Sequence, residues 1–238
     1  MKLNNVLILG SAPNAVLAKT WPKQSFSSLV TINNAWQIRS DWTYNIFPSD
    51  FPKKKRPKPN ISQYLVTANE YVSIQNAYGG FVYAGGTMAI TAAYWALSTL
   101  KPKNLFFLGC DMVYGTGKTH FYGVGTPDPL REDISLRSLE AKTCRFECFA
   151  SLVGCGVFNL STEENSRLVY RRKEFSSLSA FSNVKPRSIN KENFNQALQL
   201  EKKLNYFIPD GKYWKHEHKF KKTEIDNLDS IWLKCLHT

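Results

Sequence analysis

The sequence lacks any apolar run approaching the roughly eighteen residues that a membrane-spanning helix needs, and the stretch ending at Gly10 is too short for a signal peptide. Cysteine is scarce and unpatterned. The five residues Cys110, Cys144, Cys148, Cys155 and Cys235 are an odd number without disulfide-framework spacing, and Cys144 with Cys148 reads as two small residues on one helical face. A reduced, cytoplasmic setting is expected, at most peripheral to the inner face of a membrane. Histidine is rarer still: His120, His216, His218 and His237 give no four-ligand zinc pattern with those cysteines, so no metal is assigned. Acidic residues are also short, 19 Asp and Glu against 31 Lys and Arg, leaving a net charge of +12. That balance favours an anionic partner, whether nucleotide phosphate, nucleic acid, or a membrane surface bearing acidic lipid or glycan. No repeat and no clean second domain is visible.

What is present is enough to fold. With 238 residues, 43% hydrophobic and 13% aromatic, the chain can bury one full core but not two large domains. Val6 to Leu9 and Leu29 to Ile32 are continuous apolar runs of the kind found in buried parallel strands, with room for one short helix between them. They form a βαβ unit, and Asn33-Asn34 sits past the second strand, at the edge where open α/β sheets bind ligands. Trp42 to Phe47 predicts a third strand, Asn104 to Leu108 a further core strand leading into Gly109-Cys110-Asp111, and Gly156 to Leu160 the last. About five or six strands are expected. Gly85-Gly86-Thr87 opens a buried helix, "MAITAAYWALSTL", that Lys101-Pro102 closes, and the glycine pair would let a backbone or ligand approach closely. "ISLRSLEAKTCRFECFASLVGC" reads as an amphipathic helix and Asn190 to Tyr206 as another. "FPKKKRPKPN" predicts an exposed extended loop, either a linker or a basic rim to a cleft.

Two segments carry the densest chemistry. In the opening turn Gly10 can adopt unusual dihedrals, Ser11 offers a hydroxyl and Pro13 suits a first helical position, so N–H groups there could face a phosphate. The turn has neither the six-residue dinucleotide glycine pattern nor the Gly-Lys-Ser/Thr ending of a nucleotide-triphosphatase loop, and a plain structural bend is an equal reading. Residues 116–133 hold His120, Tyr122, Asp128, Arg131 and Asp133 in a Gly- and Pro-rich loop. His120 suits proton transfer near neutral pH or a structural role. Asp111 suits a ribose contact, a metal, a base or a simple cap. Arg131, Arg167, Arg171 and Arg172 could clamp phosphates, the last two reading better as solvated. "KYWKHEHKFKK", residues 212–222, interleaves aromatics and cations as single-strand nucleic-acid binders do, with membrane contact or a plain exposed tail as alternatives.

The ordered series "LILGSAPN", "TINNAW", "AGGTMAI", "FLGCDMVYGTGKTHFYG" and "NLS" resembles the bacterial sialyltransferase-like superfamily, over roughly residues 2–166. That superfamily includes the family 42 sialyltransferases and the group of motility accessory factors and pterin pyrophosphokinases. The resemblance implies a Rossmann-type domain with a nucleotide or nucleotide-sugar across the strand ends. By position it implies nucleotide contacts for Gly10, Ser11, Pro13, Asn33, Asn34, Gly86, Thr87 and Gly109. Asp111 matches the Gly-x-Asp at a strand end, Tyr114 falls near the tyrosines at the leaving phosphate, and His120 matches a Ser/Thr-His loop. Ala12 and Asn14 depart from the family's turn, no arginine precedes the central helix, and the sialyltransferase base aligns near Val124.

The resulting expectation is an α/β fold: a single Rossmann-type domain, mostly parallel, with helices on both faces, over residues 1–170, plus a basic, partly helical C-terminal extension, 171–238. The expected activity is glycosyl transfer from a nucleotide-sugar, a sialic-acid-type sugar among the candidates. His120, Asp111, Tyr114 and Tyr122 are its catalytic candidates, and Arg131 and Arg167 are phosphate or acceptor contacts. Expected partners are the donor, a glycan or protein acceptor, an anionic membrane surface and a second copy of the chain, with nucleic acid disfavoured. One alternative is diphosphate transfer from a nucleoside triphosphate with magnesium on Asp50, Asp111 or Asp128; the other is a non-catalytic nucleotide- or nucleic-acid-binding protein.

Overall fold

A computed structural model describes residues 4–177 and 184–237. Seven strands form one sheet in the order β4-β3-β2-β1-β5-β6-β7, every pair parallel: β1 Asn5–Leu9, β2 Ser28–Ile32, β3 Tyr44–Ile46, β4 Tyr64–Val66, β5 Asn104–Leu108, β6 Gly156–Asn159 and β7 Arg171–Arg172. This is a Rossmann-like α/β fold. The strand order reverses between β1 and β5, the switch point at which such sheets open a crevice beyond their carboxyl ends.

The apolar runs make this sheet because alternate residues fill two different layers. Val6, Ile8, Val30, Leu105, Phe107 and Val157 face one cluster, whereas Leu7, Leu9, Leu29, Phe106, Leu108 and Phe158 face the other. Helices α1 (Ala68–Ala77), α3 (Met88–Leu100) and α4 (Leu139–Leu152) cover the first face. The short α2, Phe81–Ala84, leads into α3. The second face is covered by a 3-10 segment, Pro13–Thr20, with Trp21, Phe26 and Phe175 packed beside it, the Trp21 and Phe175 rings stacked at 4.2 Å. Helices α5 (Lys191–Leu204) and α6 (Lys222–Trp232) pack against α4 through Phe194, Ala197, Ile225, Leu228 and Trp232. No helix among the described residues is long and apolar enough to cross a membrane, and all five cysteines are free and buried.

Several expectations need correction. There are seven strands rather than five or six: β4 is an apolar run of only three residues with Tyr64 exposed, and β7 consists of two arginines. Arg171 and Arg172 differ: Arg172 is exposed, as expected of a solvated pair, whereas Arg171 is half-buried. The Arg171 guanidinium lies 5.0 Å from the Phe158 ring centroid, and Arg172 donates to the carbonyls of Ser161, Glu163 and Glu164. Helix α4 is not amphipathic, because Lys142, Arg145 and Glu147 are all at most 1% exposed. The segment 212–222 is no plain exposed tail, since Tyr213 and Phe220 are buried in the α4–α6 cluster. The basic loop from Phe51 is anchored at its start: Phe51 is buried, and Arg56 donates to the Phe51 and Ser49 carbonyls while covering the Phe47 ring.

Candidate functional site

The switch-point edge is assembled by backbone contacts between the β1 and β5 exits. Gly10 N–H donates to Leu108 O at 2.8 Å and Ala12 N–H to Gly109 O at 3.1 Å. A Cβ on Gly10 would stand 2.2 Å from the Gly109 carbonyl oxygen, so glycine is what lets the two exits touch. With Gly10 and Ala12 engaged and Pro13 lacking an N–H, three of the opening turn's positions offer no donor to a phosphate. The glycine-rich loop crosses the same edge: Phe121 N–H donates to Ser11 O at 2.9 Å.

Asp111 anchors a buried polar network. Its Oδ2 accepts from Asn14 Nδ2 (3.1 Å) and Ser161 Oγ (2.7 Å), and its Oδ1 from Asn159 Nδ2 (3.2 Å). Asn14 also donates to Ser161 Oγ at 2.7 Å, and Asn159 to Ser166 Oγ at 3.1 Å. The carboxylate therefore cross-links the exits of β1, β5 and β6 and is only 3% exposed. Asn159 and Ser161 were legible only as polar residues at a strand exit, without a partner to assign them.

His120 sits in a two-way hairpin with Gly123, each N–H donating to the other's carbonyl. Its Nδ1 is 2.9 Å from Thr119 Oγ1, a hydroxyl that also accepts from Gly125 N–H. Nε2 has no protein partner among the described residues. The ring stacks on Tyr122 at 5.0 Å and lies 5.9 Å from Tyr114. Burial lowers the His120 pKa from its ordinary value, favouring the neutral imidazole, and burial first of all raises that of Tyr114, keeping its phenol protonated.

The other candidates lie around this edge in different states. Thr87 caps α3, accepting from Ala89 N–H at 3.2 Å, and its hydroxyl faces Met112 Sδ at 3.8 Å, which sets the α3 N-terminus against the β5 exit. The close approach that Gly86 allows is taken by the protein itself: a Cβ there would lie 2.4 Å from Tyr213 Oη and 2.6 Å from Ser135 Oγ. Arg131 belongs to that knot. It pairs with Asp128 (2.7 Å) and Asp133 (2.9 Å) and donates to Tyr213 Oη (3.2 Å), which in turn donates to Asp133 Oδ2 at 2.8 Å. Burial, with Asp133 beside it, pushes the Tyr213 phenol up to about 12. Arg167 is paired with Glu140, with bonds of 2.7 and 3.0 Å, while its N–H donates to Asp111 O.

Asn33 and Asn34 leave β2 one strand further on, joined by no hydrogen bond to Asp111 or His120 among the described residues. Asn33 has a left-handed φ of 51°, and its carbonyl accepts from Asn45 Nδ2 at 3.1 Å. Asn45 interrupts the short β3 run, the one sign in sequence of its role. The Oδ1 atoms of Asn14, Asn33, Asn34 and Asn45 are enclosed without a hydrogen-bond donor among the described residues. Among the described residues no group of three or more His, Cys, Asp or Glu side chains can hold a metal ion; Asp111 is enclosed, Asp128 is held by Arg131, and Asp50 is exposed.

These features define a Rossmann-like α/β protein whose strand exits at the switch point are joined by a polar network. No protein-family model, curated protein or solved structure matches the chain.

Proposed function

We propose that the chain is a glycosyltransferase-like enzyme that binds a nucleotide-sugar at the β1/β5 switch point and passes the sugar to an acceptor hydroxyl. The observation that carries this reading is the setting of His120: its loop is tied to the Ser11 carbonyl, Nδ1 is engaged by Thr119, and burial favours the neutral ring. A neutral imidazole with Nε2 open is suited to take the proton of an acceptor hydroxyl. The hydroxyl oxygen then bonds to the anomeric carbon, the bond from that carbon to the phosphate oxygen breaks, and the nucleotide leaves with the electron pair. Tyr114 and Tyr122, whose rings lie beside His120, are the candidate hydrogen-bond donors to that phosphate. Asp111 is assigned to holding the strand exits together rather than to proton transfer, since both of its oxygens already accept bonds.

The test is a thermal-shift panel of CMP, UDP, GDP, ATP and CMP-sialic acid, with and without magnesium, since a ligand selective for the folded state raises the midpoint. Stabilisation by a nucleotide-sugar without metal supports the reading and opens an acceptor screen, in which His120→Ala loses turnover and keeps nucleotide affinity. Stabilisation only by a triphosphate with magnesium replaces it with diphosphate transfer, and no shift with any nucleotide removes it.

A further inference from the structure

At the opposite border of the sheet from β4, beyond β5 and β6, lies a second concave site. A cavity of about 470 Å³ is lined by Arg171, Lys185, Pro186, Arg187, Ser188 and His237. Its charges are unequally matched. Arg187 is provided for: Nη1 donates to Glu147 Oε2 at 3.3 Å and Val169 O at 3.1 Å, and Nε and Nη2 donate to the His237 carbonyl at 3.2 and 3.0 Å. Arg171 donates through Nη2 to Lys185 O at 2.8 Å, while its Nε is enclosed without an acceptor. Neither Arg171 nor Lys185 pairs with a carboxylate among the described residues. Among the described residues Glu147, 1% exposed, is the carboxylate that pairs with Arg187, and its charge also acts on Arg171.

Three cations, one of them half-buried on an aromatic ring, therefore share a single buried carboxylate, a local excess of positive charge that favours an anion. The chemistry of the lining selects the anion. The Arg171 guanidinium, the Lys185 ammonium and the Ser188 hydroxyl together match a tetrahedral oxyanion carrying more than one charge better than a single carboxylate. The volume accommodates a phosphoryl group with a small organic substituent. We propose that this β7-border cavity is a binding site for a small phosphorylated molecule, held by Arg171 and Lys185 and separate from the switch-point edge.

The test is calorimetric titration of the full chain with inorganic phosphate and with pyrophosphate at constant ionic strength, carried out in the Ser11→Tyr variant so that the β1 exit is obstructed. Saturable binding is expected, weakened at least tenfold by Arg171→Gln and by Lys185→Gln and unchanged by Lys19→Gln, which makes the same charge change elsewhere on the surface. Lys185 is exposed, so its substitution leaves folding intact even where Arg171→Gln disturbs β7. Absence of saturable binding, or an affinity unaltered by Lys185→Gln, overturns the proposal. Failure of the nucleotide panel leaves this outcome untouched, because it concerns a different edge of the sheet.

Discussion

At the scale of single residues, Asp111 and His120 occupy the same strand edge and do opposite things. Three side-chain donors converge on the Asp111 carboxylate from residues 97, 50 and 48 positions away in sequence. Asp111→Asn turns an acceptor into a group that presents its own N–H to those donors, and it should lower unfolding free energy by about 2 kcal/mol in urea titrations. A variant of native stability that had lost only turnover would assign Asp111 to the chemistry instead. His120 is governed by burial, which lowers its pKa. Below about pH 6.5 the unfolded chain takes up a proton at this position more readily than the folded one, so the residue's contribution to stability is lost as pH falls from there. His120→Gln should flatten that part of the stability profile, and an unchanged slope between pH 7 and 5 would show that the imidazole is not desolvated.

At the scale of elements, α4 shows both what a sequence tells and what it withholds. That a helix lies here is legible, but the run read from Ile134 overshoots it: α4 begins after Ser138, whose hydroxyl accepts from Ala141 N–H at the N-cap, and it ends at Leu152. Its environment is not legible, because the groups that neutralise it come from far along the chain. Lys142 pairs with Asp229 at 2.8 Å, and Arg145 makes two bonds of 2.8 Å to Glu201 and one of 2.7 Å to Tyr94 Oη. A periodicity reading places such charges in water, and only the tertiary fold brings α5 and α6 to them. The same contrast runs through the sheet and the site. β1, β2, β5 and β6 were readable from runs such as Val6 to Leu9, whereas β7 has no apolar residue and is defined by the neighbour it pairs with. The exits that converge at the switch point were readable as polar turns, but the Asp111 network depended on Asn159 and Ser161, whose contacts are non-local. Arg145→Met should cost about 3–5 kcal/mol by stranding Glu201, and Arg145→Met with Glu201→Leu should recover most of it. Equal loss in the single and double variants, measured by urea unfolding, would mean that the pair's other bonds dominate.

At the scale of the whole molecule, those ion pairs tie α5, α6 and the segment around Arg187 to the α/β core. Lys142, Arg145 and Glu147 each find their partner there, in Asp229, Glu201 and Arg187, and β7 extends the sheet beyond β6. Trp232 is fully buried, and its indole N–H donates to Glu201 Oε1 at 2.9 Å, so the same carboxylate joins α4, α5 and α6. Without this region the face that α4 presents to Phe194, Ala197, Ile225, Leu228 and Trp232 would be left in water, at about 25 cal/mol per Å² of apolar surface exposed. The full chain should therefore unfold in one transition, with near-ultraviolet and far-ultraviolet circular dichroism melting together. A chain ending at Tyr170 should show no cooperative melt and no nucleotide-induced shift. Two separated transitions, or a cooperative melt of the shortened chain, would instead make the C-terminal region an appendage. The anchoring of Arg131 and Gly86 through Tyr213 would then be dispensable to the switch-point edge, and Tyr213→Phe would leave the glycine-rich loop in place.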